Sequence, residues 1–210
     1  IPPKGYLERL REICDAHGIL LVFDEVICGF GRTGKAFGAQ SFGVTPDVMT
    51  MAKALTNGAQ PMGAVAVRDG IYDTVVDAAP EGAVELFHGY TYSGHPAACA
   101  AGLATLDIYE KENLFERGAA LSPYFLDAMY GLEDLSLITD VRGYGMLAGF
   151  DLAPSDAPGA RGADVMKRLY EAGIYIKFTG DSGLVAPPLI AGEKDVDTIS
   201  ETLREVIGEG

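Results

Sequence analysis

Residues 5–17 carry Tyr6, Leu7, Leu10, Ile13 and Cys14 on one stripe with charges between them, which predicts an amphipathic helix that Gly18 stops. Ile19 to Val26 is then an apolar run with branched residues, broken by Asp24 and Glu25 alone. Such a run predicts a strand covered on both faces, as in parallel α/β sheets. Residues 29–46 (GFGRTGKAFGAQSFGVTP) show no clear period and predict loop with one helical turn. Asp47–Ala52 and Gly63–Val67 predict two more short strands, joined by a turn at Lys53–Gly58. A helix is expected over 69–79 and a loop over 81–94. Residues 96–109, small and apolar, predict a buried helix with Pro96 in its first turn.

A long amphipathic helix follows over 113–129, and from Leu135 the rhythm changes. LITDVRGYGMLAGFDLA predicts strand, turn, strand. A polar loop spans 154–162, a helix 163–172, and two short strands flank residues 179–183. A last helix is expected over 195–207. The pattern as a whole predicts an α/β fold: a mostly parallel sheet with flanking helices over 1–112, then a smaller α+β domain over 113–210.

Apolar residues make up 48% of the 210, enough for a substantial core. The formal net charge of −14 argues against a nucleic-acid partner, which requires a basic footprint. Cys14, Cys28 and Cys99 are scattered and fit reduced thiols better than a metal site. No apolar run reaches the ~18 residues of a membrane span, and no signal peptide is visible. These features together predict a cytoplasmic protein. The chain opens Ile1-Pro2-Pro3 without a Met, as the middle of a longer protein would.

GFGRTG, Gly29–Gly34, fits G-x-G-x-x-G after a strand, the pattern of a dinucleotide loop. That fingerprint also needs a helix opening at the third glycine. Here KAFGAQSFG follows, so a tight turn is the better expectation. Asp24 lies within the apolar run and is expected to be at least half buried, where a carboxylate needs a partner. Glu25 points to the opposite face and is expected to be paired structurally. Lys53 has apolar neighbours on both sides in MTMAKAL. A desolvated amine becomes a nucleophile, which points to Schiff-base chemistry. His88 and His95 flank GYTYSG without forming a triad or a metal set, and Thr91 and Ser93 offer hydroxyls to a phosphate or to their own turn.

FDEV, GFGRTG, PD followed by AK and NG, P-x-GAV and T-x-SGHP-x-A-x-A-A occur in that order. The ordered set resembles the class III aminotransferases, pyridoxal-phosphate enzymes of fold type I. HGYTYSGHP and KENLFER are similar to the branch that transfers amino groups from β-alanine and other ω-amino acids to pyruvate. The resemblance implies that Lys53 holds the cofactor as a Schiff base and that Asp24 pairs with its ring nitrogen. It implies that Val26, two residues on, packs against the ring, and that Thr91 binds the phosphate across a dimer interface. The small-molecule partners would be an amine and a keto acid, and the assembly a homodimer or dimer of dimers. In that branch an arginine holds the substrate carboxylate; Lys177 stands at the matching position and keeps the charge without the two-pronged grip.

Members of that family also carry an N-terminal half with much of the site, so these 210 residues alone are expected to be inactive. Three other functions remain open on the sequence: an aminomutase or decarboxylase of the same family, more distantly a nicotinamide oxidoreductase using GFGRTG, and a non-catalytic interaction module.

Overall fold

The computed structural model describes residues 1–86 and 88–208. They form two compact units: Pro2–Phe30 with Phe37–Asn113, and Ile1 and Gly31–Ala36 with the chain from Leu114 onward.

In the first unit the amphipathic stripe forms α1 (Tyr6–His17), closed by Gly18 at φ 63°, a left-handed conformation that glycine adopts without penalty. The apolar run after it yields only a three-residue strand, β1 (Val22–Asp24). A short helix α2 (Gly38–Phe42) precedes β2 (Val48–Met51), and a 3₁₀ turn at Lys53–Leu55 leads to β3 (Ala64–Val67). Helices α3 (Asp69–Asp77) and α4 (Pro96–Lys111) complete the unit. The sheet order is β1-β2-β3, with β1–β2 parallel and β2–β3 antiparallel, so one of its two pairings departs from the mostly parallel sheet expected.

The expected burial of β1 on both faces is not met: Ile19, Leu20 and Val22 are 53%, 57% and 53% exposed. The exposure follows the alternation of faces: Leu20 and Val22 on one face are open, whereas Leu21 on the other is 8% exposed. The expectation of a buried α4 holds for one stripe. Ala98, Gly102, Thr105 and Tyr109 are buried at helical spacing, while Leu103, Leu106 and Ile108 on the other side are exposed. At Gly102 the close approach leaves little space: an added Cβ would lie 3.4 Å from Met62 Sδ.

The second unit contains α5 (Leu114–Tyr130), a 3₁₀ turn at Gly131–Asp134, and the hairpin β4 (Ile138–Tyr144) and β5 (Leu147–Leu152). Then follow α6 (Ala160–Glu171), β6 (Lys177–Thr179), β7 (Ser182–Val185) and α7 (Glu193–Gly208). The sheet is antiparallel throughout, in the order β4-β5-β7-β6. Phe125, Met129, Met146, Phe150, Leu169 and Leu203 are almost fully buried and form its core. Helix α6 starts three residues before the pattern predicts. Asp181 explains this, because its carboxylate accepts from the N–H groups of Gly159 (3.2 Å) and Gly162 (2.8 Å) and so satisfies the first turn from a distant point in the chain.

Gly31–Ala36, the heart of the glycine run, belongs to this second unit. Arg32 donates to the carbonyls of Met146 (2.9 Å) and Pro187 (2.5 Å), and Met146 N–H donates back to Arg32 O at 2.9 Å. Gly31, at φ 99°, has Phe115 and Leu189 where a side chain would stand. The segment is therefore pinned by packing. Gly34 opens no helix, since α2 begins at Gly38.

Candidate active site

Asp24 is the last residue of β1, and Lys53 follows the last residue of β2 by two positions. Because β1 and β2 are parallel neighbours, both residues lie at the carboxyl ends of adjacent strands, where α/β sheets bind ligands. Asp24 is exposed, not half buried as expected, because it alternates onto the same open face as Leu20 and Val22. Its Oδ1 accepts two hydrogen bonds at 3.1 Å, one from Val26 N–H and one from the Thr50 hydroxyl. Its Oδ2 accepts none among the described residues, which leaves one carboxylate oxygen free for a cationic partner.

Lys53 is likewise exposed, so the expected desolvation by its apolar neighbours does not occur. Of those apolar neighbours Leu55 turns inward and is buried, as is Thr56 just beyond it. Lys53 has φ 45°, a left-handed backbone that costs a non-glycine residue on the order of 1–3 kcal/mol and persists only where its surroundings enforce it. The enforcing contacts are visible. Leu55 N–H donates to Ala52 O (3.0 Å), Tyr109 of α4 donates its hydroxyl to Ala54 O (2.6 Å), and Thr56 donates its hydroxyl to Gln60 O (2.6 Å). Asn57, also left-handed at φ 50°, donates to the Tyr109 hydroxyl at 2.9 Å. The Lys53 amine itself makes no hydrogen bond or ion pair among the described residues.

Glu25 is 3% exposed, and its two carboxylate oxygens accept from Gly38 N–H (2.9 Å) and Ala39 N–H (2.7 Å) at the start of α2. Its role is structural. Val26 lies beyond the end of β1, in the turn that follows, and not on the strand as its spacing from Asp24 implied. Cys28, nearby, has its thiol pushed up by burial and then by the charges of Glu25 and Asp24, which favours the protonated, unreactive form.

Asp47 sits at the entry of β2. It accepts from Leu21 N–H (2.7 Å) and Arg11 (2.8 Å) and pairs with Arg68 (3.2 Å). The Leu21 hydrogen bond and Arg11 hold its carboxyl below the usual range. One side chain thus ties together α1, the segment entering β1 and the residue after β3. The register it supports sets Asp24 opposite Thr50.

Thr50 and Met51 line a groove of about 590 Å³ whose other wall includes His88, Tyr90 and Tyr92. Thr91 is exposed in the turn between these tyrosines and is not among the lining residues. Ser93 accepts from Tyr90 N–H (3.0 Å) and so stabilises that turn, and His95 Nδ1 accepts from Ala97 N–H (3.2 Å) as the cap of α4. Lys177, exposed at the start of β6, lines a separate cavity of about 280 Å³ in the second unit with Arg142, Thr179 and Ser182. Arg142 is already committed there: it holds Asp151 through two hydrogen bonds (2.9 and 3.0 Å) and Asp140 through another, leaving Lys177 as the lining cation without an ion pair among the described residues. Among the described residues, no group of three or more His, Cys, Asp or Glu is arranged to hold a metal, and no helix is long and apolar enough to cross a membrane.

Residues 1–207 match the family model for class-III aminotransferases. The chain is 54% identical over all 210 residues to an omega-aminotransferase of Caulobacter vibrioides, covering 48% of that protein. It is 47% identical to the omega-amino acid–pyruvate aminotransferase of Pseudomonas putida, again over the whole chain and 47% of the relative. It thus spans about half the length of the curated relatives it matches. Among solved structures, a transaminase with L-alanine superposes over the whole chain with a TM-score of 0.95 at 34% identity, covering 51% of that chain. The omega transaminase of Pseudomonas jessenii in complex with PMP gives a TM-score of 0.92 at 34% identity, covering 48% of its length.

Proposed function

The chain belongs to the class-III aminotransferase family, whose members are pyridoxal-phosphate enzymes, and on that premise we propose that it carries the catalytic lysine of an ω-transaminase. The amino group would pass from an ω-amino acid or amine to pyruvate or a similar keto acid. The named activities of the relatives, omega-aminotransferase and omega-amino acid–pyruvate aminotransferase, support this substrate class. The observation that carries the proposal is the pairing of Asp24 and Lys53 at the carboxyl ends of β1 and β2, each with a free functional atom.

Those residues fit pyridoxal phosphate. When bound, the cofactor supplies an electron sink for the charge that develops at the substrate carbon. Asp24 Oδ2 is free to pair with the ring nitrogen and keep it protonated, since a carboxylate favours the charged form of a neighbouring base. Lys53 supplies the amine that holds the cofactor's aldehyde carbon. With the cofactor bound, the Lys53 amine would be the group that moves the proton from the substrate carbon, acting as base and then acid. Its strained, anchored backbone would fix the point from which the flexible side chain works. The donor would leave as its carbonyl product before the keto acid enters and departs as the amine product, which gives ping-pong kinetics.

Further roles follow within the same proposal. Val26 packs against the ring, Thr91 binds the phosphate in a neighbouring subunit, and Lys177 meets the substrate carboxylate as a point charge. Residues 1–112 form part of the cofactor-binding large domain and 113–210 the small domain of a cytoplasmic homodimer or dimer of dimers. The test is the pair of half-reactions on the protein expressed from its complete reading frame. An ω-amino acid should convert the bound cofactor to its amine form, and pyruvate should restore it with release of alanine. Release of carbon dioxide, or an isomerised amine without any keto acid, would replace transamination by a sister reaction of the family.

A further inference from the structure

We propose that Thr50 is a positioning residue for the cofactor site: its hydroxyl fixes the Asp24 carboxylate so that Oδ2 faces the ring nitrogen. The inference rests on Asp24 being the partner of that nitrogen, as proposed above.

An exposed aspartate at the end of an edge strand has two soft torsions and no reason to hold one orientation. Asp24 is held nonetheless. Both of its protein hydrogen bonds, from Val26 N–H and Thr50 Oγ1, converge on the same oxygen at 3.1 Å. The first is the local bond that an aspartate makes to the backbone two residues on. Alone it fixes one oxygen to a turn and leaves rotation about that contact. The second arrives from another strand and removes this freedom. Two donors in different directions on Oδ1 define the plane of the carboxylate and hence the direction of Oδ2.

Thr50 is well built to serve as the second donor. It lies in β2, the central strand, with Asp24 as its register partner on one side and Val65 on the other. Its carbonyl also accepts from Glu25 N–H at 3.0 Å, which ties the residue after Asp24 to the same point. A β-branched side chain on a strand paired at both edges has few χ1 choices, so its hydroxyl is delivered in one place. Three positions further along, the same segment carries Lys53. Thr50 therefore links the groups proposed to hold the two ends of the cofactor, and a displacement of β2 against β1 would move both.

The experiment compares wild type, Thr50→Val, Thr50→Ala, Thr50→Ser and Lys53→Ala in the full-length protein. Its readouts are cofactor affinity, the pH midpoint of the cofactor's visible band and the melting temperature of the apoprotein. Valine keeps the branched shape and strand preference but lacks the hydroxyl. Thr50→Val should melt within about 3 °C of wild type. It should bind pyridoxal phosphate about tenfold more weakly, the scale of one lost hydrogen bond to a charged group, and shift the pH midpoint. Thr50→Ser should restore both. Thr50→Ala provides a second hydroxyl-free variant with a different packing effect. Unchanged affinity and midpoint in the hydroxyl-free variants, beside a normal Lys53-dependent band in wild type, would overturn this inference alone. So would a Thr50→Ser variant as deficient as Thr50→Val. A wild type without a Lys53-dependent band would overturn the cofactor assignment and this inference together.

Discussion

At the scale of single residues, the proposed site rests on groups that have no partner among the described residues. The Lys53 amine and Asp24 Oδ2 have no protein partner among the described residues, whereas the neighbouring Glu25 spends both oxygens on α2. On the proposed reading the two adjacent carboxylates take opposite roles, and substitution should separate them. Lys53→Ala should lower turnover by about 10³-fold or more, the range for loss of an acid–base group, with little change in folding. Glu25→Ala should instead strand two buried N–H groups and destabilise by about 2–4 kcal/mol, read as a shift in denaturant midpoint. Lys177→Arg should lower the KM for the keto acid several-fold, since a guanidinium grips a carboxylate with two hydrogen bonds. Steady-state kinetics with pyruvate would measure it.

The alternation of faces in FDEV separates Asp24 from Glu25 in the sequence itself, and the inward, structural role of Glu25 follows from it. The exposure of Lys53 was not legible, because apolar neighbours do not say which of them turn inward. The hydroxyl of Thr50 was missed for a related reason: its partnership with Asp24 depends on the β1–β2 register, which no local pattern states. The signal available was only that two short strands, each ending near a chemical group, would pair if adjacent.

At the scale of elements, register and close packing decide what can change. Asp47 holds three chain segments through its depressed carboxyl. A depressed folded value means that this group's contribution is complete above its unfolded pKa of about 3.9 and disappears as pH falls through the lower folded value. Wild type should therefore lose stability along an acid limb below about pH 4. Asp47→Asn should flatten part of that limb, as followed by denaturant midpoints across pH. In the second unit, a Cβ on Gly162 would collide with the Gly180 carbonyl, whereas one on Gly192 meets nothing within 4 Å. Gly162→Ala should cost at least about 1–3 kcal/mol and Gly192→Ala close to nothing, a difference that thermal melting resolves.

The existence and order of the helices and strands were legible from periodicity, since each apolar stripe is written locally. Their ends were less so. Helix α6 starts early because Asp181, some 20 residues away, caps it. Gly31–Ala36 folds with the chain from Leu114 because Arg32 bonds Met146 and Pro187, and nothing near Arg32 in the sequence names those partners.

At the scale of the whole molecule, the chain belongs to the class-III aminotransferases and spans about half the length of its relatives. The formal net charge of −14 is the opposite of the basic footprint that a nucleic-acid partner requires. The ordered motifs point to the family by themselves, because they record backbone shape and chemistry together. The most direct measurement is borohydride trapping: the protein expressed from its complete reading frame is mixed with pyridoxal phosphate, reduced, digested and mapped by mass spectrometry. The reduced cofactor should be found on the peptide containing Lys53 and be lost in Lys53→Ala. A stable adduct confined to another lysine, or none at saturating cofactor, would contradict the assignment.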